Sequence, residues 1–328
     1  MMKIGILGAG GIARTMCATI RGMKAAGRPV ELYAVASRDI DKAVCFAREQ
    51  GVKRAYGSYE EMLSDPAVEL VYIATPHSHH AEQMKMCIAH GKHILCEKAF
   101  TANAKQAEEV LALAREKGVY VAEAIWTRYM PARRMVDELI ASGAIGEPYL
   151  LTANLCYTIE HVDRIRLPEL AGGALLDIGI YPLNFASMVF GDDIASVESH
   201  VELLPTGVDR TENITIRYNN GRVAMLMAST VINSDRRCVV YGSEGWLTVD
   251  NVNNPGCIEL WRKDVPQPIR HIDVPQQITG YEYEVEACLR DIPLGRLEPE
   301  EMPHAQTLEM LRRMDALRAQ WGVKYPFE

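Results

Sequence analysis

The sequence lacks most features that mark membrane, fibrous and disulfide-stabilised proteins. It contains no internal repeat, no low-complexity segment and no apolar run of about 18 residues, the length of a membrane span. Its eight cysteines form no Cys-x-x-Cys pair and stand singly in apolar stretches, as buried reduced cysteines do. We therefore expect a cytoplasmic protein that needs neither disulfides nor a structural metal to fold and does not bind a membrane.

Basic residues are also fewer than acidic residues. The 35 lysine and arginine residues are outnumbered by 43 aspartate and glutamate residues, and the formal net charge is −8 at pH 7. A protein with this balance is poorly suited to nucleic acid or to an anionic membrane surface, so we expect its ligands to be small molecules. Its 328 residues predict about two domains, at roughly 150 residues each.

Short apolar runs alternate with helical patterns in residues 1–123. A parallel sheet covered by helices on both faces has this pattern, because its strands are buried on both sides. We therefore predict a doubly wound, Rossmann-type α/β domain that binds a dinucleotide. The predicted strands are residues 3–7, 30–37, 69–74, 93–96 and 119–123, and the predicted helices are residues 12–26, 40–50, 59–63, 79–90 and 103–117.

Residues 124–328 have a different pattern, with β-branched, alternating strands and turn signals at residues 219–221 and 242–245 that predict hairpins. They predict an α+β domain with a mostly antiparallel open sheet, which would bind the substrate. The predicted strands are residues 149–157, 195–204, 213–218, 223–230, 238–241, 246–249 and 258–261, and the predicted helices are residues 130–141, 181–190, 281–291 and 299–320.

A glycine-rich turn lies between the first predicted strand and the first predicted helix. It reads Gly8-Ala9-Gly10-Gly11-Ile12-Ala13 and fits the pattern G-x-G-x-x-A in its required strand–turn–helix context. Gly8 permits the tight turn, and Gly10 lets the backbone approach a pyrophosphate. Gly11 and Ile12 open the helix, whose N-terminus offers N–H groups to the anion. The turn predicts a dinucleotide site.

The end of the second strand discriminates between the two nicotinamide cofactors. An NAD site usually has an acidic residue here, which holds the ribose hydroxyls. This chain has Ser37 and Arg38 instead. A hydroxyl and a guanidinium suit the 2′-phosphate of NADP, so we expect NADP rather than NAD. Asp39 follows directly, so NAD stays open as the alternative.

Three further motifs carry a family resemblance. They are Ala74-Thr75-Pro76-His77-Ser78-His79-His80, Cys96-Glu97-Lys98-Ala99 and the segment from Gly172 to Pro182 that contains Asp177-Ile-Gly179-Ile-Tyr181-Pro182. With the glycine-rich turn, they resemble the Gfo/Idh/MocA oxidoreductases over the full chain. The Asp-x-Gly-x-Tyr-Pro form is similar to that of the dimeric dihydrodiol dehydrogenases and the NADP-dependent D-xylose dehydrogenases.

The resemblance implies a set of functional residues. Lys98, Asp177 and Tyr181 are the implied catalytic residues. Those implied to contact the cofactor, besides the glycine-rich turn, Ser37 and Arg38, are Thr75, Pro76, His77, His80, Glu97, Lys98, Trp126 and Arg128. The chain departs from the family pattern in two places, with His77 for asparagine and Ala99 for the proline after Lys98. The peptide geometry at Lys98 is therefore undecided at this point.

The implied reaction is hydride transfer between NADP and a hydroxyl carbon of a cyclic polyol, an aldose or a trans-dihydrodiol. Tyr181 would accept the hydroxyl proton. The ordinary tyrosine pKa of about 10 is too high for this, and a nearby ammonium could lower it. Lys98 could supply that charge or hydrogen-bond the substrate oxygen directly. Asp177 and Tyr181 are four residues apart and share a helix face, and Pro182 predicts a kinked first turn.

Other interpretations stay open beside this one. A non-catalytic NAD(P)-binding regulatory protein would not need Lys98, Asp177 and Tyr181, and an NAD-dependent glycosidase would not be expected to carry Ser37-Arg38. The histidines at 77, 79 and 80 lack an acidic or thiol partner, so we expect no metal. By resemblance, the chain is expected to form a homodimer or a dimer of dimers through its C-terminal sheet.

Overall fold

The computed structural model describes the whole chain, Met1–Glu328. The chain divides into two compact units, of which the first contains Met1–Trp126 and Gln277–Arg312. The second contains Thr127–Gln276 and Arg313–Glu328. This division differs from the predicted one at residue 124, because the chain returns to the first unit at Gln277.

The first unit is built on a six-stranded parallel sheet with the strand order β3-β2-β1-β4-β5-β6. This order confirms the predicted Rossmann-type fold. Its strands are β1 (Met2–Leu7), β2 (Val30–Ala36), β3 (Arg54–Tyr56), β4 (Leu70–Ile73), β5 (His93–Glu97) and β6 (Val121–Ala124). Its helices in the N-terminal segment are α1 (Gly11–Ala25), α2 (Ile40–Gln50), α3 (Tyr59–Leu63), α4 (His77–Ala89) and α5 (Ala104–Lys117).

Burial explains which of these strands the sequence could predict. Every residue of β2 and β4 is buried, as expected for strands covered on both faces. β3 was not predicted, because it is a three-residue edge strand with an exposed arginine and two half-buried residues. It pairs only with β2.

Helix α9 (Glu282–Asp291) explains why the chain returns to the first unit. Its residues Val285 and Cys288 are fully buried in the same core as Ile4, Val30 and Tyr72. The predicted helix at residues 281–291 is therefore present, but it completes the first unit rather than the second. Local sequence pattern predicts such a helix and not the surface on which it packs.

The second unit is built on an eight-stranded sheet with the order β14-β13-β12-β11-β7-β10-β9-β8. Its strands are β7 (Pro148–Cys156), β8 (Ile194–Leu203), β9 (Asp209–Tyr218), β10 (Val223–Ser229), β11 (Cys238–Gly242), β12 (Gly245–Val249), β13 (Cys257–Arg262) and β14 (Arg270–Asp273). Its helices are α6 (Pro131–Ala141), α7 (Asp163–Arg166) and α8 (Ile180–Phe190), and α10 (His304–Trp321) continues into it from the first unit.

The pairing of this sheet agrees with the predicted mostly antiparallel arrangement. Both predicted hairpins are present, joining β9 to β10 and β11 to β12. The exception is β7, which runs parallel to β10 and antiparallel to β11. β14 was not predicted, because it is a short edge strand whose residues are largely exposed.

One helical stretch, Pro168–Phe190, is long and apolar enough by composition to span a membrane, with a mean hydropathy of 1.3. The sequence analysis did not find this stretch because it looked for an uninterrupted apolar run of about 18 residues, and Glu169 and Asp177 interrupt the run here. Within the protein, 89% of the most apolar 18-residue window of this stretch is buried. A helix in the core of a folded domain has the same properties, so this stretch is weak grounds for a membrane span.

Candidate active site

The glycine-rich turn of the first unit has the geometry of an anion site. Gly8 has a φ of +107°, and a Cβ there would lie 2.8 Å from the carbonyl oxygen of Ala74. Gly10 and Gly11 are exposed, and no atom lies within 4 Å of the position that a Cβ would take in either. Gly10 is the N-cap residue of α1, and it has no side chain that could cap the first N–H groups of the helix. The first N–H groups of α1 are therefore approachable by a pyrophosphate.

The loop after β2 assigns different tasks to Ser37, Arg38 and Asp39. The Asp39 carboxylate caps α2, accepting from the backbone N–H groups of Asp41 at 2.9 Å and Lys42 at 3.2 Å. The backbone N–H of Asp39 donates to the Ser37 hydroxyl at 3.4 Å. Arg38 is exposed. Burial of the His79 imidazole lowers its pKa, and the positive charge of Arg38 adds to this effect. Asp39 is thus occupied as a helix cap, whereas Arg38 faces solvent.

This difference leads to a first prediction, for the variant Asp39→Ala. Loss of the cap should lower the free energy of unfolding by about 1 kcal/mol. The preference for NADPH over NADH should stay unchanged, because the carboxylate serves the helix and not a ribose. Chemical denaturation and cofactor titration measure the two effects. An increase in the preference for NADPH over NADH in this variant would instead assign Asp39 to the ribose.

The end of β4 is joined to the segment after β5 by His80. This fully buried imidazole has its Nε2 atom 2.8 Å from the carbonyl oxygen of Thr75 and its Nδ1 atom 2.9 Å from that of Ala99. Burial lowers the pKa of His80, although both carbonyl oxygens favour the protonated ring. His80 was expected to contact the cofactor, but its ring nitrogens are engaged by backbone, as a buried polar group requires.

Thr75, Pro76 and His77 lead from the end of β4 into the start of α4. Pro76 precedes the first residue of α4, and no side chain of its own caps that helix. The Thr75 hydroxyl donates to the Gln83 side-chain oxygen at 2.6 Å. His77 is buried, and its ring lies edge-on to that of His80, with 5.8 Å between the centroids. These residues border the carboxyl end of β4, where open α/β sheets bind ligands.

Lys98 follows the last residue of β5 directly, at the same edge of the sheet as the glycine-rich turn. The Lys98–Ala99 peptide bond is cis, which answers the question left by the missing proline. Glu97 is buried and accepts a hydrogen bond from the Tyr72 hydroxyl. Behind it lies the fully buried Glu284 of α9, whose pKa is raised well above its ordinary range by burial and by the charge of Glu97.

Trp126 ends the N-terminal segment of the first unit. It is buried, and its ring stacks on that of Tyr281, with 4.1 Å between centroids and 15° between planes. Tyr281 comes from the segment that returns to this unit. This stacking accounts for the packing of Trp126 beyond the end of β6.

In the second unit, Asp177 and Tyr181 lie on one continuous helix. The five residues Leu175–Gly179 form a π-helical turn, which leads directly into α8. Pro182 accounts for the widening, since it lacks an N–H and its ring would clash with the carbonyl of Ile178 four residues earlier. The predicted kink is thus realised as a π-turn, a feature common at functional sites. Both side chains are largely buried, at 6% and 7% exposure.

Asp177 has an ion-pair partner that the sequence did not reveal. The Arg164 guanidinium lies 2.5 Å from its carboxylate, and Arg164 itself is half exposed. Arg164 belongs to α7, a helix of only four residues that local pattern did not predict. The pair places a positive charge beside the carboxylate that the family resemblance makes catalytic.

Arg128 is anchored on the helix that carries Tyr181. Its Nε donates to the Asn184 side-chain oxygen at 2.6 Å and its Nη2 to the Ser187 hydroxyl at 3.2 Å. Asn184 in turn donates to the carbonyl oxygen of Ile180 at 2.8 Å. Arg128 was expected to contact the cofactor, and these bonds give it a further role in bracing α8. No cluster of three or more His, Cys, Asp or Glu side chains is arranged to hold a metal ion.

Comparison with known proteins identifies the family. The profile of an oxidoreductase family with an NAD-binding Rossmann fold matches residues 2–124, and the Gfo/Idh/MocA C-terminal domain matches residues 134–248. The chain belongs to the Gfo/Idh/MocA oxidoreductase family. The resemblance carried by the sequence motifs is thereby confirmed, and so is the class of oxidoreductases with an NAD(P)-binding Rossmann domain.

Several characterised oxidoreductases are similar to this Gfo/Idh/MocA protein over its full length. It is 33% identical to the trans-1,2-dihydrobenzene-1,2-diol dehydrogenase of Xenopus tropicalis over 99% of both chains. It is 31% identical to the human enzyme of that name, over 99% of this chain and 98% of the other. A 3-ketoreductase from Actinomadura kijaniata, solved with NADP and TDP-benzene, is 26% identical, with a TM-score of 0.86 over 97% of both chains.

Proposed function

We propose that this oxidoreductase is an NADP-dependent dehydrogenase that acts on a hydroxyl carbon of a cyclic polyol, an aldose or a trans-dihydrodiol. The observation that carries the proposal is the full-length likeness to trans-dihydrodiol dehydrogenases, in a chain that retains Lys98, Asp177 and Tyr181 together. The alternatives, a non-catalytic regulator and an NAD-dependent glycosidase, are outcomes that the experiments below distinguish.

The residues of the first unit fit the cofactor. Gly8, Gly10 and Gly11 leave the N-terminus of α1 open to a pyrophosphate. Arg38 is exposed at the end of β2, while the only nearby carboxylate of the loop, that of Asp39, caps α2. A guanidinium without a competing ribose ligand favours a 2′-phosphate, which supports NADP over NAD. A neighbour of similar fold was solved with NADP, which agrees with this assignment.

The proposed mechanism divides the work among four residues. When bound, NADP supplies the acceptor for the hydride that leaves the substrate carbon. The Tyr181 hydroxyl accepts the proton of the substrate hydroxyl. The Lys98 ammonium either lowers the pKa of Tyr181 or donates a hydrogen bond to the substrate oxygen. Asp177, paired with Arg164, either binds a second hydroxyl group of the substrate or keeps Lys98 charged.

A substrate panel tests this function. Purified protein is incubated with NADP⁺ and, separately, NAD⁺, over inositols, aldoses and trans-dihydrodiols, and the rise of reduced-cofactor absorbance is followed. We expect turnover with at least one member of the panel and a higher kcat/KM with NADP⁺. Binding of NADPH without turnover on any member would favour the regulatory alternative, and NAD retained through purification would favour the glycosidase.

We further propose that the open face of the second unit's sheet forms a homodimer or dimer of dimers. Neighbouring strands present apolar side chains on this face, among them Met225 and Tyr241, which are 51% and 38% exposed. Trp246 and Trp261 stack on the same face, with 5.6 Å between centroids. An apolar sheet face of this kind is stabilised when a second protein surface covers it.

The cysteines bear on the compartment in which the protein works. All eight are free thiols, and six of them are buried. Free thiols accord with a reducing compartment, and we propose the cytoplasm.

The variant Met225→Lys tests the dimer. A lysine at the centre of an apolar interface leaves a charge without a partner, so the dissociation constant of the dimer should rise by more than tenfold, at about 2–5 kcal/mol for such a burial. Light scattering across a dilution series measures it. Leu294→Lys, at an exposed apolar residue of the first unit, serves as the control. Equal mass distributions for both variants and the wild type would contradict the proposed face.

A further inference from the structure

The helix of Asp177 and Tyr181 rests on two buried carboxyl groups that the family resemblance does not assign. Asp209 and Glu212 both belong to β9, and their exposures are 0% and 1%. Glu212 takes a place in the strand where the alternating pattern has Ile214 and Ile216, so a carboxyl group occupies a core position. A buried acid without a hydrogen-bonding or charged partner costs stability, so its presence at a core position calls for a structural or functional reason.

Asp209 lies at the point where the helix begins. One carboxylate oxygen accepts from the backbone N–H of Leu175 at 2.6 Å, which is the first residue of the π-helical turn. A Cβ at Gly173 would overlap the other oxygen, and Gly173 has a φ of +121°. A carboxylate on the first amide groups of a helix is a favourable cap, here supplied by a neighbouring strand. Burial raises the pKa of Asp209 to about 6, so it is largely ionised at neutral pH.

Glu212 lies against the end of the same turn. A Cβ at Gly179 would overlap its Oε1 atom, so the absence of a side chain at residue 179 makes room for the carboxyl group. Neither carboxyl oxygen has a hydrogen-bond partner. Burial, together with the charge of Asp209, raises the pKa of Glu212 well above its ordinary range. Burial without a hydrogen-bond partner therefore favours the uncharged form of the Glu212 carboxyl group, which fills the space left by Gly179.

We infer that Asp209 and Glu212 are positioning residues for the helix of Asp177 and Tyr181. Asp209 fixes the residue at which the helix begins, and Glu212 supports the wide turn that separates the two side chains. Loss of either support lets the turn relax toward another register and moves the Tyr181 hydroxyl. The inference deepens the proposed function and rests on it only for the catalytic effect.

Four variants and one control test this inference. Asp209→Ala and Glu212→Ala remove the cap and the support, and a displacement of about 1 Å would lower kcat by about 10²-fold. Asp209→Asn and Glu212→Gln keep the oxygen acceptor and the shape, so both should retain most of the wild-type kcat. In the two alanine variants the KM for NADP⁺ should change less than kcat, because neither Asp209 nor Glu212 is among the residues proposed to bind the cofactor. Glu202→Gln, an exposed acid of the adjacent strand β8, is the control.

A second readout keeps the inference separate from the proposed function. Hydrogen exchange of the peptide that covers residues 174–181 should accelerate in both alanine variants and remain as in the wild type in Glu202→Gln. If the wild type shows no turnover, the proposed function fails and the exchange result alone decides this inference. Unchanged exchange in both alanine variants, or a glutamine variant as impaired as Glu212→Ala, would overturn it. Rates are expressed per cofactor-binding site, so that partial unfolding is not counted as a loss of kcat.

Discussion

Replacing Tyr181 with phenylalanine should lower kcat by about 10³-fold, the middle of the range for a general acid–base group. The variant keeps the buried ring and removes only the hydroxyl that accepts the substrate proton. The affinity for NADPH should not change, because Tyr181 is not among the residues proposed to bind the cofactor. Steady-state kinetics on the best substrate of the panel measures kcat, and fluorescence titration measures the affinity. Tyr149→Phe, an exposed tyrosine of β7, is the control.

The joint action proposed for Tyr181 and Lys98 gives a second test of this mechanism. Lys98→Met should cost a similar factor in kcat, and the double variant should cost little more than either change alone, since groups that act as a unit are not additive. If Lys98 lowers the pKa of Tyr181, the pH profile of Lys98→Met shifts to higher pH. If Lys98 binds the substrate oxygen, the profile keeps its midpoint. A Tyr181→Phe variant with more than a tenth of wild-type kcat would remove Tyr181 from the proposed mechanism.

The second large effect is expected for Arg38→Ser. The guanidinium is proposed to make paired, charge-assisted hydrogen bonds to the 2′-phosphate, and their loss should raise the Kd for NADPH by about 10²-fold, at about 1.5–3 kcal/mol for each such bond. The Kd for NADH should stay within a factor of two, because NADH lacks the phosphate. Quenching of tryptophan fluorescence measures both constants.

Two comparisons make the Arg38 result specific. Arg48→Ala removes an exposed positive charge from the last turn of α2 and should leave both Kd values unchanged. Asp39→Ala should lower stability without changing the preference. An equal loss of NADPH and NADH affinity in Arg38→Ser would assign the arginine to the shared part of the cofactor and withdraw the argument for NADP.

The sequence predicted the first unit well wherever local signals decide structure. The buried strands from β1 to β6, apart from the short edge strand β3, follow from their apolar runs. The glycine-rich turn follows from steric limits that local sequence expresses, since Gly8 has positive φ and lies close to the Ala74 carbonyl. The backbone geometry of such a motif follows from its own residues, so the sequence predicts it directly. The family resemblance also depends on motifs of this kind.

The features that the sequence did not reveal depend on contacts between distant segments. The return of α9 to the first unit depends on Val285 and Cys288 finding the core of β1 and β2. The ion pair of Asp177 with Arg164 depends on a four-residue helix. Glu212 could have been noticed, because a glutamate at a core position of an alternating strand is unusual. Its contact with Gly179 could not, because it joins residues 33 positions apart.

The central claim is that the protein transfers hydride between NADP and a carbon that bears oxygen. NADPH deuterated at the transferring position, incubated with the ketone that corresponds to the best substrate, tests it most directly by mass spectrometry of the product. The account predicts an alcohol that carries one deuterium on the carbinol carbon and an equal amount of NADP⁺. An unlabelled product, or substrate turnover with no net formation of NADP⁺, would contradict it.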